Sequence, residues 1–194
     1  MQVEVDKFDS SFGDTPELIQ QKIYADDRGF FGEVWRNGES PVLSHACQVN
    51  HSYSASNTVR GMHWQCRKKP LGKYVTCISG VIQDVVVDLR KNSKTFKGWK
   101  GFSLVDPNFS NNLYRHVLWV PPGFAHGFLV ISQTAHVLYL QDGFYCPASE
   151  RSFHYEDPEI GIKWRAAVDT TFHRISEKDA NAPLFSTLTA EDLF

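Results

Sequence analysis

What the chain lacks narrows it first. Its four cysteines, Cys47, Cys66, Cys77 and Cys146, show no Cys-x-x-Cys spacing. Scattered thiols in 194 residues suit neither a cysteine zinc site nor a disulfide-framed secreted module, so reduced thiols in a cytoplasmic protein are expected. The opening MQVEVDKFDSS carries acidic residues and no apolar stretch, and no signal peptide is expected. Val117 to Gln141 is free of Asp, Glu, Lys and Arg, but Pro121, Pro122, Gly123, two histidines and small polar residues interrupt it, so no membrane span is expected. There is no excess of positive charge: 20 Lys and Arg stand against 22 Asp and Glu, a net charge of −2. Such a chain has no global field to hold a nucleic acid backbone. Among eight histidines there is no His-x-His and no His-x-x-x-His, so neither a barrel-type metal site nor any other metal or cofactor is expected. GxGxxG, P-loop, GxSxG and HExxH patterns are absent too. Rossmann hydride transfer, NTP hydrolysis and α/β-hydrolase chemistry therefore find little support. With no repeat, linker or low-complexity tract, residues 1–194 read as one domain.

What is present points to β structure. The 14 Phe, 7 Tyr and 5 Trp are residues that fit pleated, half-buried surfaces. Turn residues recur at short intervals. Gly80 separates KYVTCIS from VIQDVVVDL, which reads as two strands joined by a tight Ser-Gly turn. HACQVNHSYSAS, TVRGMHWQ, GWKGFSLV, HVLWV, GFLVIS and AHVLYLQDGFY are further strand candidates. Many short strands suggest a sandwich, jelly roll or barrel. Thr15-Pro16-Glu17 resembles a helix start, so LIQQK is either a helix opening or an early strand. Ser176-Glu177-Lys178-Asp179 resembles a capping box with Asp in the Glu place, which predicts a short helix.

Chemistry concentrates in four places. In R60-G-M-H-W-Q65, strand alternation sets residues 61 and 63 on one face and 60 and 62 on the other. His63 is then either a hydrogen-bonded core histidine or a proton-transfer group at a cavity mouth. Lys73 opens an apolar strand, and a buried ammonium needs an anionic partner, such as a substrate phosphate or a developing enolate. His126 emerges after the Pro-Pro-Gly bend, and Tyr139 lies on a strand where packing is the commoner role. Asp88, Arg90, Ser93 and Thr95 read as a structural connection between strands.

DDRGFFGE (26–33), QVNHSYS (48–54), VRGMHWQ (59–65), GKYV (72–75), DVVVDLRKNSKTF (84–96), WVPPGFAHGFLV (119–130), LYLQDGFYCPASE (138–150) and DPEIGIKW (157–164) together resemble the dTDP-4-dehydrorhamnose 3,5-epimerase family. Eight ordered blocks span about residue 16 to about residue 185. The resemblance implies an all-β cupin, a double-stranded β-helix or jelly roll with short C-terminal helical segments, and a homodimer. It implies a strand for LIQQK. The substrate would be a dTDP-4-keto-6-deoxyhexose, inverted at C5 and in most members at C3 by loss and return of protons alpha to the C4 ketone, in deoxysugar biosynthesis of the dTDP-rhamnose type. His63 matches the base, Asp179 the carboxylate that orients it, Tyr139 the acid on the opposite face and Lys73 the cation at the enolate oxygen. Arg28, Glu33, Gln48, Asn50, Arg60, His126, Glu150 and Lys178 fall on nucleotide-sugar positions, with the Arg28–Glu33 segment shared across the dimer. Three departures stand out: Thr76 replaces the arginine of a KLVR strand, Leu140 replaces a common lysine, and the 105–116 segment is longer. Other outcomes of the same reading are a mono-epimerase or a 3,4-ketoisomerase. A non-catalytic sugar-binding cupin would have lost the His or the Tyr, and a metal-dependent cupin oxygenase lacks its His pair here.

Overall fold

The structure is a computed structural model and describes residues 7–8, 13–38, 43, 45–110, 113–165 and 173–194. The chain builds β1 (Glu17–Lys22), β2 (Tyr24–Asp26), β3 (Gly29–Phe31), β4 (Gln48–Ala55), β5 (Val59–Gln65), β6 (Lys73–Ser79), β7 (Val81–Asp88) and β8 (Trp99–Val105). After these come helix α1 (Pro107–Ser110), β9 (Tyr114–Val120), β10 (Phe124–Val130), β11 (Thr134–Gln141), β12 (Glu150–Ser152) and helix α2 (Glu177–Ala180). LIQQK is thus a strand, and a short 3-10 turn at Phe185–Thr187 joins α2 as the C-terminal helical part. Helix α1 falls in the long 105–116 segment, where the sequence reading placed no helix.

Two five-stranded antiparallel sheets form a sandwich. One runs β1-β9-β6-β11-β4, the other β12-β5-β10-β7-β8, and β2 and β3 make a separate hairpin. Inward side chains of both sheets meet in one core, with Val75, Cys77, Leu118, Val120 and Val137 from the first and Ile82, Val86, Leu104, Phe128 and Val130 from the second. Each buried aliphatic or aromatic side chain of this kind stabilises the fold by about 1.5–3 kcal/mol. The outer faces are covered as well. Tyr74, Val117, Trp119 and Leu140 pack with Leu43 on one side. Met62, Trp64, Val85 and Val87 pack with Phe153, Phe185 and Leu193 on the other.

β6 and β7 follow each other at Gly80, yet they do not pair. The turn hands the chain from one sheet to the other. Gly80 has φ +95°, and a Cβ there would lie 2.2 Å from the Thr134 carbonyl oxygen, so the crossing needs glycine. The polar connection after β7 is structural: Asp88 pairs with Arg90 at 2.7 Å and accepts the Thr95 hydroxyl at 2.8 Å. At the other end, the Ser176 hydroxyl accepts the Asp179 N–H at 3.1 Å and caps α2.

Strict alternation fails in β5. Opposite β10, His63 is in register with His126 while Arg60 is in register with Phe128, so the β5 side carries an extra residue. This bulge turns both Arg60 and His63 toward the same cavity, while Met62 is buried in the outer core. The expectation that 60 and 63 face opposite ways is therefore corrected. The bulge is centred on Gly61, φ +129°, where a Cβ would sit 2.6 Å from the Gly127 Cα. Only two glycines allow the backbones so close.

Candidate active site

Between the sheets lies a cavity of about 380 Å³. It is lined by all four predicted catalytic residues, His63, Lys73, Tyr139 and Asp179, and by five of the predicted binding residues, Asn50, Arg60, His126, Glu150 and Lys178. β5 brings His63, β6 Lys73, β10 His126 and β11 Tyr139, while α2 brings Lys178 and Asp179.

His63 Nε2 lies 2.7 Å from Asp179 Oδ1. The imidazole is half-buried and the carboxylate almost wholly buried. Burial works against ionising Asp179, but its bonds to His63 and to the Gly61 N–H at 3.4 Å outweigh that and hold the carboxyl below its usual range. An ionised Asp179 accepts the Nε2–H and leaves Nδ1 with its lone pair, free to take a proton.

A second imidazole–carboxylate pair lies deeper. His126 Nε2 is 2.8 Å from Asp84 Oδ2, and both residues are buried. Burial lowers the His126 pKa; Asp84 opposes this and Lys73 adds to it. The other oxygen of Asp84, Oδ1, is buried without a hydrogen-bond partner among the described residues. Asp84 was not among the predicted site residues. Its signal is a single carboxylate inside the apolar run VIQDVVV, on the inward face that Ile82 and Val86 also occupy.

Lys73 is desolvated, which lowers its pKa to about 8 against the pull of Asp84 and Glu150. An ammonium in such a place is a strong electrostatic partner for any oxygen that gains negative charge. Tyr139 lies with its ring edge-on to His126, centroids 6.4 Å apart, and its hydroxyl is 3.1 Å from the Ser52 hydroxyl. Burial raises its pKa, so the phenol keeps its proton. Ser52 was not foreseen either; it lies two residues from Asn50, on the same face of β4.

At the mouth, Glu150 accepts bonds from Lys178 and, at 2.9 Å, from the Tyr145 hydroxyl. Arg60 is held by the Ser54 hydroxyl at 2.9 Å and the Tyr53 carbonyl at 3.1 Å. Gln48 does not line the cavity, but its amide donates to the Asn50 Oδ1 at 2.9 Å. Arg28 and Glu33 stand outside the cavity of this chain. Arg28 is exposed on the β2–β3 hairpin and pairs with Asp26, and Glu33 pairs with Arg36. Two of the family departures leave the cavity untouched. Thr76 and Leu140 are absent from its lining: the Thr76 hydroxyl donates to the His116 carbonyl, and Leu140 packs in the outer core.

Fold and cavity together define a cupin-type protein with ionisable side chains on the inner wall of its cavity. The match to the family model for dTDP-4-dehydrorhamnose 3,5-epimerase runs from residue 15 to residue 187, and the chain belongs to that family of isomerases. It is 39% identical over 171 residues to the dTDP-4-dehydrorhamnose 3,5-epimerase of Salmonella typhimurium, covering 86% of this chain and 88% of that one. The enzyme of the same name from Methanothermobacter thermautotrophicus is 40% identical over 168 residues, 84% and 86% of the two chains. Among solved structures, the dTDP-6-deoxy-D-glucose-3,5-epimerase of Legionella pneumophila, in complex with dTDP-4-keto-L-rhamnose, superposes with a TM-score of 0.82 at 36% identity and covers 96% of each chain.

Proposed function

We propose that the chain, as one unit over residues 1–194, epimerises C5 and C3 of a dTDP-4-keto-6-deoxyhexose in dTDP-rhamnose-type biosynthesis. The observation that carries this reading is that His63, with its Asp179 partner, and Tyr139 line one cavity together with Lys73. His63 Nδ1 takes the proton from the carbon alpha to the ketone. The C–H electron pair becomes the enolate, whose negative oxygen rests against the Lys73 ammonium. The Tyr139 hydroxyl gives a proton to the opposite face of that carbon, and the imidazolium and phenolate are then reset by exchange with solvent. General acid–base steps of this kind contribute about 10²–10⁴-fold each. A neutral phenol, which burial favours here, is the form that can donate.

Arg60 and Lys178 supply the positive charge at the mouth for the diphosphate, a role for charge-assisted hydrogen bonds. Gln48, Asn50, His126 and Glu150 complete the contacts of this chain. Arg28 and Glu33 serve the site of a second copy in a homodimer. Their place outside the lining of this chain's cavity, and the exposed Tyr24 and Phe31 on the hairpin that carries Arg28, support that placement. The four unpaired cysteines suit a cytoplasmic protein. Among the described residues no helix is long and apolar enough to cross a membrane.

The test is incubation with dTDP-4-keto-6-deoxyglucose in deuterated water, with the label located by NMR. Deuterium at C5 and C3 in an inverted product is the expected result; folded protein that exchanges neither carbon overturns the reading.

A further inference from the structure

Gln141 is the last residue of β11 and is 8% exposed, and its side chain lines the catalytic cavity. Its Oε1 is buried and has no hydrogen-bond partner among the described residues. An unpaired buried amide oxygen is costly to a fold. Gln141 stands directly opposite Lys73 on one neighbouring strand and opposite Gln48 on the other. Directly paired residues on adjacent antiparallel strands present neighbouring side chains on the same face.

We infer that Gln141 is a specificity residue that hydrogen-bonds the C3 hydroxyl of the bound hexose; this rests on the reading that the site holds a 4-keto-6-deoxyhexose. With C4 a ketone and C6 deoxygenated, the free sugar hydroxyls are those at C2 and C3. Lys73 is assigned to the C4 oxygen, and the oxygen on the adjoining ring carbon is the one that reaches the side chain beside Lys73. The amide thus gains its missing partner when sugar binds and selects hexoses that keep oxygen at C3.

The experiment compares wild type with Gln141→Met, a near-isostere that cannot hydrogen-bond in this way, on dTDP-4-keto-6-deoxyglucose and on its 3-deoxy analogue. The readout is kcat/KM for deuterium incorporation at C5, a carbon both substrates share. Wild type is expected to lose about 10–100-fold on the 3-deoxy substrate. The variant loses a similar factor on the normal substrate and discriminates little between the two, while its affinity for dTDP is unchanged. Gln141→Leu serves if the Met variant does not fold. Equal discrimination by wild type and variant overturns the inference. So does a matching loss of dTDP affinity, which makes Gln141 a nucleotide contact, or a shift in the basic limb of the pH profile without change in substrate preference, which makes it a partner of Lys73. Absence of C5 exchange in wild type on the normal substrate removes the epimerase reading, and this inference with it.

Discussion

His63 Nε2 and Asp179 Oδ1 lie 2.7 Å apart although 116 residues separate them in the chain. The Gly61 bulge aims the imidazole from β5, and the Ser176 cap starts the short helix that presents the carboxylate. Asp179 occupies the position where a capping box would place a Glu, and its side chain points at the imidazole.

Replacing His63 by Ala should abolish deuterium exchange at both carbons. Asp179→Asn removes the charge that holds the proton on Nε2, and kcat should fall by about 10²–10⁴-fold while the fold persists. Single-turnover NMR in deuterated water measures both. Near-wild-type exchange in His63→Ala would remove this residue from the mechanism.

Tyr139→Phe deletes the hydroxyl that faces Ser52 and leaves the ring packed against His126. Proton removal should continue, with deuterium returned to the original face, while inverted product falls much further. Equal loss of exchange and inversion would contradict an opposite-face acid.

Lys73 links pH, stability and rate. Its folded pKa of about 8 is below the ordinary 10.5, so at pH below 8 the fold holds a desolvated ammonium at a cost, and that cost fades as pH rises from about 8 to 10.5. Lys73→Met should therefore unfold at higher temperature or denaturant than wild type at pH 7, by on the order of 1–3 kcal/mol, with the advantage shrinking above pH 8. The same variant should lose nearly all activity. In wild type, kcat/KM should fall as pH rises through about 8, because the neutral amine cannot stabilise an enolate. A destabilised Lys73→Met at pH 7 would contradict this account.

Subunit sharing has its own test. Arg28→Ala and His63→Ala should each be inactive as pure proteins. Mixed and allowed to exchange subunits, they should regain activity, because a heterodimer has one site with an intact His63 and the Arg28 of its partner. No recovery, with heterodimers verified by mass spectrometry, would put Arg28 outside the site of a second copy.

The sequence on its own determined β4 to β11 and the identity of the catalytic candidates, because side-chain alternation and turn residues act locally and recognisable blocks carry their residues with them; β1 came only from the family resemblance, and β2, β3 and β12 were not read as strands. His63, Lys73, Tyr139 and Asp179 were all legible in that way. Asp84, Ser52 and Gln141 were not, since a carboxylate, a hydroxyl or an amide on a strand shows its use only when another strand supplies the partner or withholds it. Only the tertiary structure decided that Arg60 and His63 share a face, because a bulge depends on the neighbouring strand. It alone set Gly80 as a crossing between sheets, and it alone left Arg28 and Glu33 outside the lining of their own chain's cavity. These are relations between segments far apart in sequence, and close packing of two sheets, rather than local preference, sets them.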